Sequence, residues 1–130
     1  MYSSAGRRLR VLVVDDDDMV RDTLRRVLEY EGHLVEEAGN GNDALYMLQG
    51  ARFDLVITDY EMEGIKGDRL AAAIKAQVPA QPVIMLTAYD DAVANNPGQM
   101  DYLDGLVPKP FQVEALREAI AKALAGRDVP

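Results

Sequence analysis

The chain has 130 residues, 48% of them hydrophobic and 28% charged, and a formal net charge of −8. That is the size of one ordinary domain, long enough to bury a core and too apolar for a disordered chain. The negative charge speaks against direct nucleic-acid binding, the absence of cysteine excludes thiol redox chemistry and thiolate metal sites, and a lone histidine excludes multi-histidine centres.

Residues 1–10 form an N-terminal extension carrying Arg7, Arg8 and Arg10. The apolar run behind them is too short for the core of a secretory signal, and no stretch approaches a membrane span, so a cytoplasmic protein is expected. Residues 11–14 (VLVV) are apolar without alternation, the pattern of a strand buried on both faces. Residues 19–30 place Val20, Leu24, Val27 and Leu28 on one helical face, and Gly32 ends that helix. A weaker strand follows over 33–38, with His33 expected to be exposed near the turn. After the Gly39-Asn40-Gly41 turn comes a short helix over 42–49.

Residues 54–58 (DLVIT) predict another buried strand. Beyond a loop with Gly64 and Gly67, Asp68 is placed to cap a helix whose inner face is Leu70, Ala73 and Ile74. Residues 83–86 (VIML) and 106–107 predict two more strands, and 113–124 a last helix with Val113, Leu116, Ile120 and Leu124 inward. Between 90 and 104 the alternation calls for a helix, but Asn95-Asn96-Pro97-Gly98 disfavours one, so a short or irregular element is expected there. Alternating strands and helices imply right-handed βαβ units, a parallel sheet and helices on both of its faces, an α/β sandwich of three layers.

Each apolar strand is followed at once by a polar residue with chemistry. Asp15 and Asp16 follow the first, Asp59 the third, Thr87 the fourth and Lys109 the fifth. In an open parallel sheet, ligands bind outside the carboxyl ends of the strands, so this topology would gather these residues on one edge. Converging carboxylates repel, by about 4 kcal/mol per pair at ~4 Å and an effective dielectric of ~20. A hard divalent cation relieves that repulsion, and Mg²⁺ suits a site with few carboxylates and several waters. Acids beside a lysine and a threonine therefore suggest a phosphoryl site, in which a carboxylate can itself be the nucleophile.

The segments VLVVDDDD (11–18), DLVITDYEMEGIKG (54–67), PVIMLTA (82–88) and LVPKPF (106–111), with EAGNGNDAL (37–45), resemble the receiver domain of bacterial response regulators in order and spacing. The resemblance covers nearly the whole chain and is similar to single-domain, chemotaxis-type regulators. It implies a flavodoxin-like sheet in the order 2-1-3-4-5, a domain over 11–126 and a tail over 127–130. It implies Asp59 as phosphoacceptor, with Asp15, Asp16, Asp59 and the backbone carbonyl of Glu61 around Mg²⁺ (or Mn²⁺). Thr87 and Lys109 would handle the phosphoryl group, with a cis peptide before Pro110 aiming the lysine, and Glu61 and Tyr89 would tune the lifetime of the acyl phosphate. The implied partners are a sensor histidine kinase or phosphotransfer protein upstream and an unnamed protein target downstream, and the role is a switch, not a classical enzyme. Two positions depart from the family pattern: Glu63 stands where many members have proline, and Leu106 where an aromatic side chain often reports activation.

Plainer readings exist for each residue taken singly. An aspartate run is usually a solvated turn, Asp17 and Asp18 suit a helix start, Thr87 could be a cap and Lys109 a surface residue. A haloacid-dehalogenase-like phosphatase would use Asp15-x-Asp17, but it leaves Asp59 without a role and lacks the later acidic pair. A flavodoxin-like cofactor carrier needs a phosphate-cradling loop where four aspartates stand. A receiver-like module acting without phosphorylation leaves the acid, threonine and lysine set unexplained.

Overall fold

A computed structural model describes residues 8–88 and 103–125 of the chain. In chain order the elements are β1 (Arg10–Val14), α1 (Asp18–Tyr30), β2 (Leu34–Ala38), α2 (Gly41–Gly50), β3 (Leu55–Asp59), α3 (Gly67–Gln77), β4 (Val83–Thr87), β5 (Gly105–Pro108) and α4 (Val113–Leu124). The strands form one parallel sheet in the order β2-β1-β3-β4-β5. The expected irregular segment between β4 and β5 lies outside the described residues.

Strand alternation divides the core between two faces. Val11 and Val13 of β1 point toward α1 and α4, joining Leu24, Leu28, Leu55, Ile57, Ile84 and Leu116. Leu12 and Val14 point the other way, joining Ala44, Leu48, Val56, Leu70 and Ile74 under α2 and α3. With apolar residues required on both faces, the strands read as unbroken hydrophobic runs, and β3 and β4 are buried at every position. Among the described residues no helix is long and apolar enough to cross a membrane.

Local chemistry sets most helix ends. Asp17 caps α1, its side chain accepting the Met19 amide at 2.9 Å. Gly32, at φ 97°, turns the chain out of α1, and the amides of Gly32 and His33 close onto the carbonyls of Glu29 (2.9 Å) and Leu28 (3.0 Å). Asn40 caps α2 by accepting from the Asp43 amide at 2.8 Å. Helix α3 differs from expectation: Lys66 occupies the cap position without a side-chain bond, and Asp68 lies within the first turn, where the helix dipole favours an acid. Its buried stripe is Leu70, Ala71 and Ile74, with Ala73 only half-buried. Val113, expected inward, is 39% exposed because it opens α4 at the edge of the sheet.

His33 reverses its expectation as well. It is 4% exposed, and its Nδ1 accepts the Leu9 amide at 3.0 Å, tying the entry to β1 to the α1–β2 turn. The chain before β1 passes beside this turn, a neighbour that sequence distance hides. The opposite edge of the sheet from the polar cluster is similarly pinned. Asp54 accepts the Arg10 amide at 2.8 Å, and Asp104 accepts both the Val83 amide and Lys75 Nζ at 2.8 Å.

Burial holds the His33 imidazole below its ordinary value of 6.5, outweighing the raising influence of Glu31 and Asp54. The unfolded chain thus binds this proton first as pH falls. The stabilisation is complete above about pH 6.5 and shrinks below it. Replacing His33 by Leu strands the Leu9 amide and should lower the unfolding free energy by about 1–3 kcal/mol near pH 8. Urea titrations should show that gap narrowing toward about pH 5; a gap independent of pH would show that His33 does not titrate against this bond.

Candidate functional site

The parallel sheet delivers its polar strand ends to one edge. Asp15 and Asp16 follow β1, Asp59 closes β3, Thr87 closes β4 and Lys109 follows β5. Register aligns them: Asp59 lies opposite Leu86 and Thr87 opposite Pro108. Lys109, beyond β5, crosses the end of β4 to reach Asp59, its Nζ donating to Oδ1 at 2.9 Å. The Asp59 side chain is 5% exposed and the lysine 32%. Burial nevertheless raises the Asp59 carboxyl above the ordinary carboxylate range, against the lowering effect of Lys109.

Asp15 is 1% exposed. Its Oδ1 accepts the Asp17 amide at 2.9 Å, whereas Oδ2 is buried with no hydrogen-bond partner. Burial, with smaller contributions from Asp59 and Asp16, pushes its carboxyl up to about 6, against the Asp17 amide and Lys109. These mutual influences place Asp15, Asp16, Asp59 and Lys109 in one electrostatic neighbourhood. Asp16 is exposed, and its Oδ2 accepts the Glu63 amide at 3.0 Å, stitching the loop after β3 to the loop after β1. With Glu61, Met62, Glu63 and Lys66 it borders a cavity of about 230 Å³.

The Glu61 side chain is exposed and pairs with Lys66 Nζ at 2.5 Å. Thr87 is 3% exposed, and its hydroxyl donates to the Ala88 carbonyl at 3.1 Å. The Lys109–Pro110 peptide is cis. Leu106 is half-buried on β5, beside Met85 in register, and borders a cavity with Ala115 and Ala119 of α4. Tyr89 lies outside the described residues.

Two contributors escaped the sequence reading. The first is Gly67, whose amide donates to the Tyr60 carbonyl at 2.9 Å. A Cβ there would fall 2.3 Å from the Asp59 carbonyl oxygen and 2.8 Å from Tyr60 Cα, so the start of α3 can sit under Asp59 only without a side chain. The second is Arg21, whose guanidinium donates to the Asp15 carbonyl at 2.6 Å. A glycine eight residues after Asp59 and an arginine six residues after Asp15 were the available signals, but neither spacing reports a close approach by itself.

The site's chemistry fits a hard cation. A buried carboxylate oxygen without a partner, next to two further acids, is short of positive charge. Among the described residues no group of three acidic or imidazole side chains is arranged to hold a metal ion alone. An ion here would complete its shell with a backbone carbonyl and water, the habit of Mg²⁺.

Comparison with known proteins identifies the arrangement. The family model described as "Response regulator receiver domain" matches residues 11–121. The response regulator MprA of Mycolicibacterium vanbaalenii is 36% identical over 122 residues, covering 94% of this chain and 52% of that protein. The chain thus spans about half the length of the curated relatives it matches. Among solved structures, the response regulator TrrA of Thermotoga maritima, in complex with Mg²⁺ and BeF, is 36% identical, with a TM-score of 0.80 over 88% of this chain and 98% of that one. The chemotaxis response regulator CheY4 of Vibrio cholerae is 31% identical, with a TM-score of 0.80 over 91% and 100%.

The Asp15 carboxyl generates a prediction of its own. Its folded value of about 6 lies above the ordinary value of 3.8, so the charged form is disfavoured by folding. That cost is full above about pH 6 and fades as pH falls toward 3.8. Asp15→Asn keeps an acceptor for the Asp17 amide and removes the charge. Without metal it should be the more stable protein near pH 8, by up to about 3 kcal/mol, with a smaller advantage near pH 5. Mg²⁺ should raise the melting temperature of the wild type and leave that of Asp15→Asn nearly unchanged. A metal-free variant that is less stable at both pH values would contradict the electrostatic account.

Proposed function

The chain belongs to the response-regulator receiver family, the phosphoacceptor switch of two-component signalling, and from that premise we propose that Asp59 is the residue that takes the phosphoryl group. The observation that carries this reading is the buried Asp59 carboxylate held by Lys109 beside the unpartnered Oδ2 of Asp15. A carboxylate oxygen of Asp59 attacks phosphorus, the bond from phosphorus to the donor imidazole nitrogen breaks, and an acyl phosphate forms. Lys109 is placed to follow the charge as it moves from the carboxylate to the phosphoryl oxygens, and the Thr87 hydroxyl to donate to one of them. Asp15, Asp16, Asp59 and the Glu61 carbonyl would hold a Mg²⁺ ion, which would supply charge neutralisation during the transfer.

The unit carrying this function runs over 11–126, with 1–10 as an extension and 127–130 as a tail. Glu61 and Tyr89, each two residues beyond a site residue, tune access of water to the acyl phosphate. Leu106 supplies apolar packing where relatives use an aromatic rotor, so the movement of Thr87 toward the phosphoryl group is the part of the switch retained.

The donor is a sensor histidine kinase or phosphotransfer protein. An apolar cavity of about 500 Å³ opens beside Lys109, lined by Met19, Val20, Val27, Phe111 and Val113 among others. Met19 is 78% exposed at the first turn of α1. An apolar face next to the acceptor is suited to the helix that presents a phosphohistidine.

Asp59→Asn should abolish the acid-stable, base-labile phosphate formed from acetyl phosphate and Mg²⁺, and the chemical shift changes induced by beryllofluoride. Label persisting at wild-type level in that variant would overturn the assignment. Met19→Glu should slow transfer from a phosphorylated kinase by about tenfold, the effect of ~1.4 kcal/mol, while leaving the rate from acetyl phosphate within about twofold of wild type. Equal slowing with both donors would place the effect in the site itself and not in docking.

A further inference from the structure

We propose that Arg21 is a positioning residue for the metal-binding acid pair, acting through the backbone of Asp15; this rests on the Mg²⁺ reading above. Three of the four polar atoms of Asp15 are held by the protein. Its amide donates to the Ala38 carbonyl at 3.2 Å, its Oδ1 accepts the Asp17 amide at 2.9 Å, and its carbonyl accepts Arg21 Nη1 at 2.6 Å. Only Oδ2, buried and without a partner, is left for a ligand. The first bond ties Asp15 to β2 and the second to the start of α1. The third is the only one of these made by a side chain remote from the loop.

The guanidinium is itself fixed from two further sides. Its Nε donates to Glu37 Oε1 at 2.9 Å, and its Nη2 pairs with Asp18. Glu37, on β2, is in turn gripped by Arg25 Nε through its other oxygen, at 2.6 Å. The chain of bonds runs from Arg25 to Glu37 to Arg21 to the Asp15 carbonyl, with the Arg21 side chain 16% exposed. An arginine fork can satisfy three acceptors in different directions at once; a lysine cannot hold the same geometry. Arg21 thereby transmits the rigidity of α1 and β2 to the peptide from which Asp15 and Asp16 project. Partners of this kind, one bond removed from a metal ligand, typically change metal affinity by 10–100-fold when lost.

The test is calorimetric titration of MgCl₂ into metal-free protein, for wild type, Asp15→Asn, Arg21→Ala, Arg21→Lys and Arg26→Ala. Arg26, which pairs only with Asp22 on the exposed face of α1 among the bonds described, is the control. Arg21→Ala and Arg21→Lys should weaken Mg²⁺ binding by about 10–100-fold, with Arg26→Ala within about twofold of wild type. The phosphorylation rate with acetyl phosphate should then show a raised Mg²⁺ half-saturation and a plateau close to wild type. Arg21→Lys keeps the charge without the fork, so it reports on geometry even if the alanine variant folds poorly. A lowered melting temperature with Mg²⁺ affinity changed less than about threefold would overturn the inference and leave Arg21 a purely structural residue. Wild type that binds no Mg²⁺, or binds it as well after Asp15→Asn, would bring down the metal reading and this inference with it.

Discussion

Lys109 reaches past the end of β4 to donate to Asp59 on β3, and most of the molecule can be understood as the apparatus that makes this contact possible. The two residues are fifty positions apart, and only the strand order brings them within 2.9 Å. A nearly buried carboxylate needs such a partner, because without it the desolvation would go wholly uncompensated. Even with the lysine, burial keeps the Asp59 carboxyl above its ordinary range. The pair is therefore incompletely balanced, which suits the phosphoacceptor role proposed for Asp59.

The same imbalance appears more sharply at Asp15, where one carboxylate oxygen has no partner and the carboxyl is pushed up to about 6. Acids elsewhere in the chain are treated differently. Asp54 and Asp104, at the other edge of the sheet, accept backbone amides and, for Asp104, a lysine. Glu37 sits between two arginines that hold its carboxyl below the usual range. The protein thus satisfies these structural carboxylates and leaves one buried oxygen of Asp15, at a strand end, without a partner. That contrast separates a site from a stabilising network better than the count of aspartates does. The destabilisation is local and is offset by strands β3 and β4, which are buried along their whole length.

Close approach of backbone, more than side-chain contact, fixes where Asp59 sits. The Tyr60 amide bonds the Leu86 carbonyl at 2.9 Å and the Gly67 amide bonds the Tyr60 carbonyl at the same distance. Gly67 has no room for a Cβ against the Asp59 carbonyl. From the other side Asp16 captures the Glu63 amide, so the loop following Asp59 is fastened at both ends. The loop is thus secured by a carboxylate that also belongs to the acid cluster.

Much of this was legible in the amino-acid order. Unbroken apolar runs such as VLVV and VIML announce strands buried on both faces, and the spacing between them leaves room for one helix each. Polar residues immediately after each run then fall on one edge by topology alone, so Asp15, Asp16, Asp59, Thr87 and Lys109 could be chosen before any coordinates. The tertiary structure decided what depends on neighbours distant in the chain. His33 looks like a turn residue in sequence, yet it is buried because the segment before β1 crosses it and needs an acceptor for the Leu9 amide. Ala71 and not Ala73 faces the core, and Asp68 does not cap α3, because Gly67 must begin the helix hard against Asp59. Arg21 appears as an ordinary surface arginine of an amphipathic helix until β2 brings Glu37 alongside and the guanidinium closes on Asp15. Periodicity and strand-end position are local properties that a sequence carries by itself. Burial, backbone clearance and the satisfaction of a polar atom are properties of pairs, and they exist only once the chain has folded.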